Sequence, residues 1–172
     1  MLKLAGACFL VAGCAGFGWC ICRDMEKRVG QLQLMIRAFS MLASEVGYSK
    51  VTLPEGLRRI GAKTGGRLGE TLAGIGQKVC ADTGVTLKEA WGQEMGAFLG
   101  ETCLNSREKE LLLTFPDYTG FVDGRMQLLA LEQFETELQE QKKEAQSDVH
   151  NRRKAILSVS MASGLLVAIL LI

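Results

Sequence analysis

Two uncharged apolar stretches, one near each end of the chain, constrain this sequence more than anything between them. Leu4–Cys22 runs for 19 residues without a charge, and Ala155–Ile172 for another 18. About 20 apolar residues in a helix cross the hydrocarbon core of a bilayer, so each stretch is expected to span a membrane. All 19 acids, and every base except Lys3, fall between them in residues 23–154. The expected organisation is a transmembrane helix over residues 1–22, a helical-bundle domain over 23–154, and a second transmembrane helix over 155–172.

Val11-Ala12-Gly13-Cys14 offers a competing reading, because it resembles a bacterial lipobox cut before Cys14. In that case the chain is an exported lipoprotein or binding module lipidated at Cys14. A lipoprotein signal has a basic start, a short apolar core and a polar mature chain. Here apolarity continues past Cys14 through "AGFGWCIC", and the basic flank follows as Arg23, Lys27 and Arg28. The second stretch is preceded by Asn151-Arg152-Arg153-Lys154. Basic residues stay on the cytoplasmic side, so both flanks favour a cytoplasmic central domain with both termini across the membrane.

Cysteine usage agrees with a reducing compartment. Four of the six cysteines (Cys8, Cys14, Cys20, Cys22) lie in the first apolar stretch, leaving Cys80 and Cys103 for the domain. That is no disulfide framework, and Cys20-Ile21-Cys22 lacks redox-pair spacing.

The central segment reads as helix throughout. Leu32, Met35, Ile36, Phe39, Leu42, Ala43 and Val46 recur at three- and four-residue steps, on a helix that continues the first apolar stretch without a break. Thr52 and Glu55 are spaced as a capping box, with Pro54 in the first turn and Leu57 and Ile60 facing inward. "TGGRLGETLAGIGQKVCADTG" carries Leu68, Leu72, Ile75 and Val79 on one face, and its glycines leave room for close approach to a neighbouring helix. Thr86 and Glu89 form a second capping box, opening a helix with Trp91, Met95, Phe98 and Leu99 inside. Asn105 or Ser106 caps "REKELLLTF", which Pro116 ends. Asp123 starts the longest run, with Met126, Leu129, Phe134 and Leu138 expected inside, and this run reaches the last apolar stretch as one helix. No alternating strand pattern occurs, so the fold class is all-α: an antiparallel cytoplasmic helical bundle flanked by an N-terminal and a C-terminal transmembrane helix.

Charge is balanced but segregated. Residues 23–88 hold 11 bases and 6 acids, whereas residues 89–140 hold 3 and 11. The basic and acidic halves either pair within the bundle, the favoured reading, or form two poles for protein partners. The overall balance gives no support to nucleic-acid binding.

Chemical motifs are thin. "GLRRIGAKT" approaches a phosphate-binding loop, but Ala62 separates Gly61 from Lys63 and no strand precedes it. The one histidine, His150, has no nucleophile or acid fixed beside it in "SDVHNRRK", and Glu132, Glu135, Glu137 and Glu140 read as the solvated face of a long helix. No metal-ligand spacing occurs. The sequence therefore argues against an enzyme, and no catalytic residue, metal, cofactor, nucleic acid or small-molecule substrate is expected. Small residues recur at four-residue steps in both apolar stretches (Cys8, Ala12, Gly16; Ser160, Gly164, Ala168), which suits close helix packing in lipid. Glu45 and Tyr48, three residues apart, share a helical face. They are read either as a structural hydrogen-bonded pair closing the turn into the next helix or as a contact surface for a partner.

"MLKLAGA", "LASEVGYSKVTLPEGL", "FPDYTGFVDGRMQ" and "SGLLVAILLI" together resemble the stage III sporulation protein AB family, along essentially the whole chain. Leu42, Glu45 and Tyr48 match that family's Leu-x-x-Glu-x-x-Tyr pattern. Leu53-Pro54 stands where a Pro-Leu pair is usual. Phe115, Gly120, Asp123 and Gln127 are kept in the later pattern, whereas Pro116 and Thr119 depart from it. The resemblance implies a domain like the cytoplasmic domain of the platform protein of type II secretion and type IV pilus systems. It also implies a place in the channel joining mother cell and forespore, in the mother-cell membrane surrounding the forespore. The implied partners are the stage III sporulation protein AA ATPase and other stage III sporulation membrane proteins, with membrane lipid around the spans. Glu45, Tyr48, Arg58 and Arg59 are the residues expected to make the protein contact.

Overall fold

The computed structural model describes the backbone of residues 2–81, 84–119 and 124–171, and Asp123, expected to start the last helix, lies outside the described residues. Every described element is helical: α1 (Leu2–Ser49), α2 (Leu53–Thr64), α3 (Gly66–Cys80), α4 (Leu87–Gly100), α5 (Ser106–Leu113), α6 (Phe115–Tyr118) and α7 (Gly124–Leu171). Both apolar stretches continue into the neighbouring charged sequence as single helices, as the periodicity predicts. The chain divides into two compact units, residues 31–142 and residues 1–30 with 143–172.

The central unit, residues 31–142, is an all-α bundle with its core on α1, α4, α6 and α7. Leu32, Met35, Ile36, Phe39, Leu42 and Val46 of α1 are all buried, because their spacing keeps one stripe inward. Phe39 and Phe115 pack at a tilt with ring centroids 4.8 Å apart, Trp91 and Phe115 are tilted at 4.5 Å, and Phe115 and Phe134 meet edge to face at 5.0 Å. Trp91 Nε1 donates to the Leu112 carbonyl at 2.8 Å, so the largest buried ring leaves no orphan donor.

A different device joins α2 to α3. The chain turns through Gly65 and Gly66, both at positive φ (66° and 60°), where a side chain would be strained. A Cβ added at Gly61 would fall 2.5 Å from the Ala73 nitrogen, one at Gly69 2.5 Å from the Gly61 carbonyl, and one at Gly76 2.5 Å from the Pro54 carbonyl. The two helices touch backbone to backbone, as the glycine-rich sequence allows.

Capping follows the sequence at two helix starts and departs from it at a third. Thr86 with Glu89, and Asn105 with Glu108, form complete capping boxes. Thr52 makes no side-chain cap at the start of α2. Glu55, expected to complete that box, is taken by Arg58 and Arg59 instead. Charge-assisted bonds to two guanidiniums outcompete one to a backbone amide.

The inner face of α7 carries Phe134 and Leu138 as expected and differs from expectation nearer its start. Met126 and Leu129 are exposed, and Ala130, Leu131, Phe134, Leu138 and Ala145 are buried. The segment 126–131 is apolar except for Gln127 and contains two overlapping stripes, and packing against the Phe39–Phe115 rings selects the one bearing Leu131 and Phe134. The charge segregation resolves at least partly into internal pairs across the two halves. Arg67 reaches Glu101 at 3.0 Å, Lys78 reaches Glu94 at 2.6 Å and Lys88 reaches Asp117 at 2.7 Å.

In the other unit, α1 and α7 run antiparallel. Gly18 is buried where a Cβ would fall 2.5 Å from Ser160 Oγ. Arg153 bonds Glu26 at 3.0 Å, and Arg28 lies 3.5 Å from Asp148. Among the described residues no helix is long and apolar enough to cross a membrane. The two stretches expected to span are described only in part, and the surroundings of Cys8, Cys14, Gly164 and Ala168 lie outside what is described.

Candidate partner-binding surface

Three of the four residues expected to make the protein contact meet at the junction of α1 and α2. Pro54 and the Thr52 carbonyl start α2 just after α1 ends, the Gly56 amide donating to that carbonyl at 2.8 Å. Lys50, at φ 49°, turns the chain out of α1 in the left-handed region that terminates helices. Arg58, Arg59 and Lys63 of α2 are then exposed, while Leu57 and Ile60 on the opposite face are buried.

Glu45 accepts from Lys63 Nζ at 2.5 Å and lies 3.7 Å from Arg59. The Lys63 hydrogen bond holds its carboxyl below the usual carboxylate range, against a smaller effect of burial, with Arg59 adding to the lowering. Glu55 accepts both Nε and Nη2 of Arg58 at 2.8 Å, and Arg59 Nε at 3.0 Å. These bonds, Arg58 first and Arg59 next, pull its carboxyl down to about 2. Arg59 thus bridges two carboxylates, one on α1 and one on α2.

Tyr48 is not part of this network. It is 91% exposed, and the partners of Glu45 are Lys63 and Arg59 rather than the tyrosine. The turn is closed by an ion-pair lattice, and the aromatic ring stands free of it. Sequence reasoning missed Lys63 as a member of the cluster. Its four-residue step from Arg59 puts the two on one face of α2, but its reach to Glu45, 18 residues away, is a tertiary contact that spacing does not reveal.

The arrangement offers an exposed aromatic ring beside a rigid set of alternating charges.

Residues 3–172 match the family described as Stage III sporulation protein AB. The chain belongs to the stage III sporulation protein AB family. A solved structure titled stage III sporulation protein AB shares its fold, with a TM-score of 0.63, 19% sequence identity, and coverage of 72% of this chain and 96% of that one. No curated protein matches the chain. Membership makes it a sporulation protein, and the family implies association with other stage III sporulation proteins.

Proposed function

We propose that the protein is a non-enzymatic membrane platform of the sporulation channel between mother cell and forespore. In this reading its central helices couple the stage III sporulation protein AA ATPase to membrane subunits. The apolar ends lie in the mother-cell membrane, and residues 23–154 face the cytoplasm. The observation that carries the reading is Tyr48, exposed beside the Glu45–Arg59–Glu55–Arg58 lattice. Aromatic rings and arginines dominate interface hot spots, and a rigid charged rim fixes register and orientation. Basic residues at the inner ends of both apolar stretches support the orientation.

The test is recovery of the ATPase on the tagged full-length chain. Tyr48→Ala should reduce recovery about tenfold or more, the size of a lost hot spot, without shifting the thermal melt. Arg58→Ala should reduce it less. Unchanged recovery with both variants moves the contact elsewhere on the domain. An intact mass lacking residues 1–13 and carrying acyl chains would instead support the lipoprotein reading at Cys14.

A further inference from the structure

Beyond the protein contact, the unit formed by residues 1–30 and 143–172 holds a small concave site of different character. Trp19, Cys22, Arg23, Glu26 and Arg153 line a cavity of about 290 Å³ between α1 and α7. One wall is the indole of Trp19, 65% exposed, with buried Cys22 one turn further along. The other is polar. Arg153 bonds Glu26 at 3.0 Å, so that carboxylate is already neutralised. Arg23, exposed and one turn after Trp19, has no carboxylate partner among the described residues. The cavity therefore carries one uncompensated guanidinium and a second whose charge is shared.

We propose that this cavity binds the phosphate of an anionic phospholipid. The proposal rests on the membrane reading given above and adds to it a specific headgroup site. A guanidinium presents donors in a fork that fits phosphate oxygens in pairs, which a solvated lysine does not. Trp19 sits at the polar end of Leu4–Cys22, the level at which indoles lie in the headgroup region. The charge left over on Arg23 complements a lipid carrying one net negative charge, and the indole wall covers the glycerol and upper acyl chain. The zwitterionic phosphatidylcholine headgroup adds a quaternary ammonium that the two guanidiniums repel.

Trp19 is its own reporter. The full-length chain with Trp91→Phe, which leaves Trp19 as its single tryptophan, is reconstituted into vesicles of equal parts phosphatidylcholine and phosphatidylglycerol. The bromine label is carried on the acyl chain of one lipid or the other. Brominated phosphatidylglycerol should quench Trp19 about two-fold more than brominated phosphatidylcholine, from the attraction of a basic side chain for an anionic lipid. Arg23→Gln should bring that ratio to about one. Lys27→Gln, at a residue already paired with Asp24 at 3.0 Å and outside the cavity, should leave it unchanged. Should Trp91→Phe destabilise the bundle, the unmodified chain gives the same comparison over a constant background from buried Trp91. Equal quenching by the two lipids overturns the headgroup site and leaves the membrane reading standing. No quenching by either removes both.

Discussion

The central unit closes its core in two contrasting ways. Around Phe39, Trp91, Phe115 and Phe134, large rings from four helices fill the space between backbones. Between α2 and α3, Gly61, Gly69 and Gly76 let one backbone lie directly on the other, while Leu57, Ile60, Leu68, Leu72 and Ile75 are buried on the same two helices. The first device gains stability from buried area and adjusts when a ring changes shape. The second fixes one helix against another with little tolerance, since the nearest atoms are main chain. α2 carries Arg58, Arg59 and Lys63 on its outer face, so the rigid seam positions the charge lattice and the aromatic cluster supplies the stability.

The largest effect is expected from emptying the aromatic cluster. Phe115→Ala should cost about 3–5 kcal/mol in denaturant unfolding, because Phe115 is fully buried and touches three other rings. A cost near zero would mean that the rings are not the core.

The glycine seam makes a sharper prediction, since one substitution should have opposite signs five residues apart on α3. Gly69→Ala puts a Cβ 2.5 Å from the Gly61 carbonyl and should destabilise by about 1–3 kcal/mol. Gly74 has nothing within 4 Å of its added Cβ, so Gly74→Ala should stabilise by up to about 1 kcal/mol from helix propensity. Equal effects at the two positions would dissolve the contrast between seam and cluster.

Sequence alone reveals much of this, and it fails where the deciding contact is distant. The α1 stripe, the inward face of α4 and the Thr86–Glu89 capping box were legible because periodicity and local spacing determine them. The missing cap at Thr52 was not, because Glu55 lies within reach of both a backbone amide and two arginines, and only the competition decides. On α7 the sequence points to Met126 and Leu129 as inner residues, whereas packing against the ring cluster buries Ala130 and Leu131 instead. At the candidate surface, the charged residues were visible as types, but their lattice depends on Lys63 meeting Glu45 across two helices.

The smallest expected effect concerns the lattice itself. Glu55 has its carboxyl depressed from 4.5 to about 2, so the folded chain holds its charge where the unfolded chain begins to protonate. The stability from this group is present above pH 4.5 and is lost as pH falls toward 2. The melting temperature should therefore decline across that window, and Glu55→Gln should flatten part of the decline. An unchanged profile in the variant would show that the lattice orients side chains without stabilising the fold.

An ATPase is available to the central helices only from the cytoplasm, so the side of the membrane they occupy decides the proposed function. Protease accessibility of residues 23–154 on intact protoplasts, with lysed cells as control, measures it directly. Protection until lysis is the expected result, and it leaves Tyr48 and its charged neighbours within reach of the ATPase. Cleavage in intact protoplasts would put those helices outside the cell and contradict the platform role.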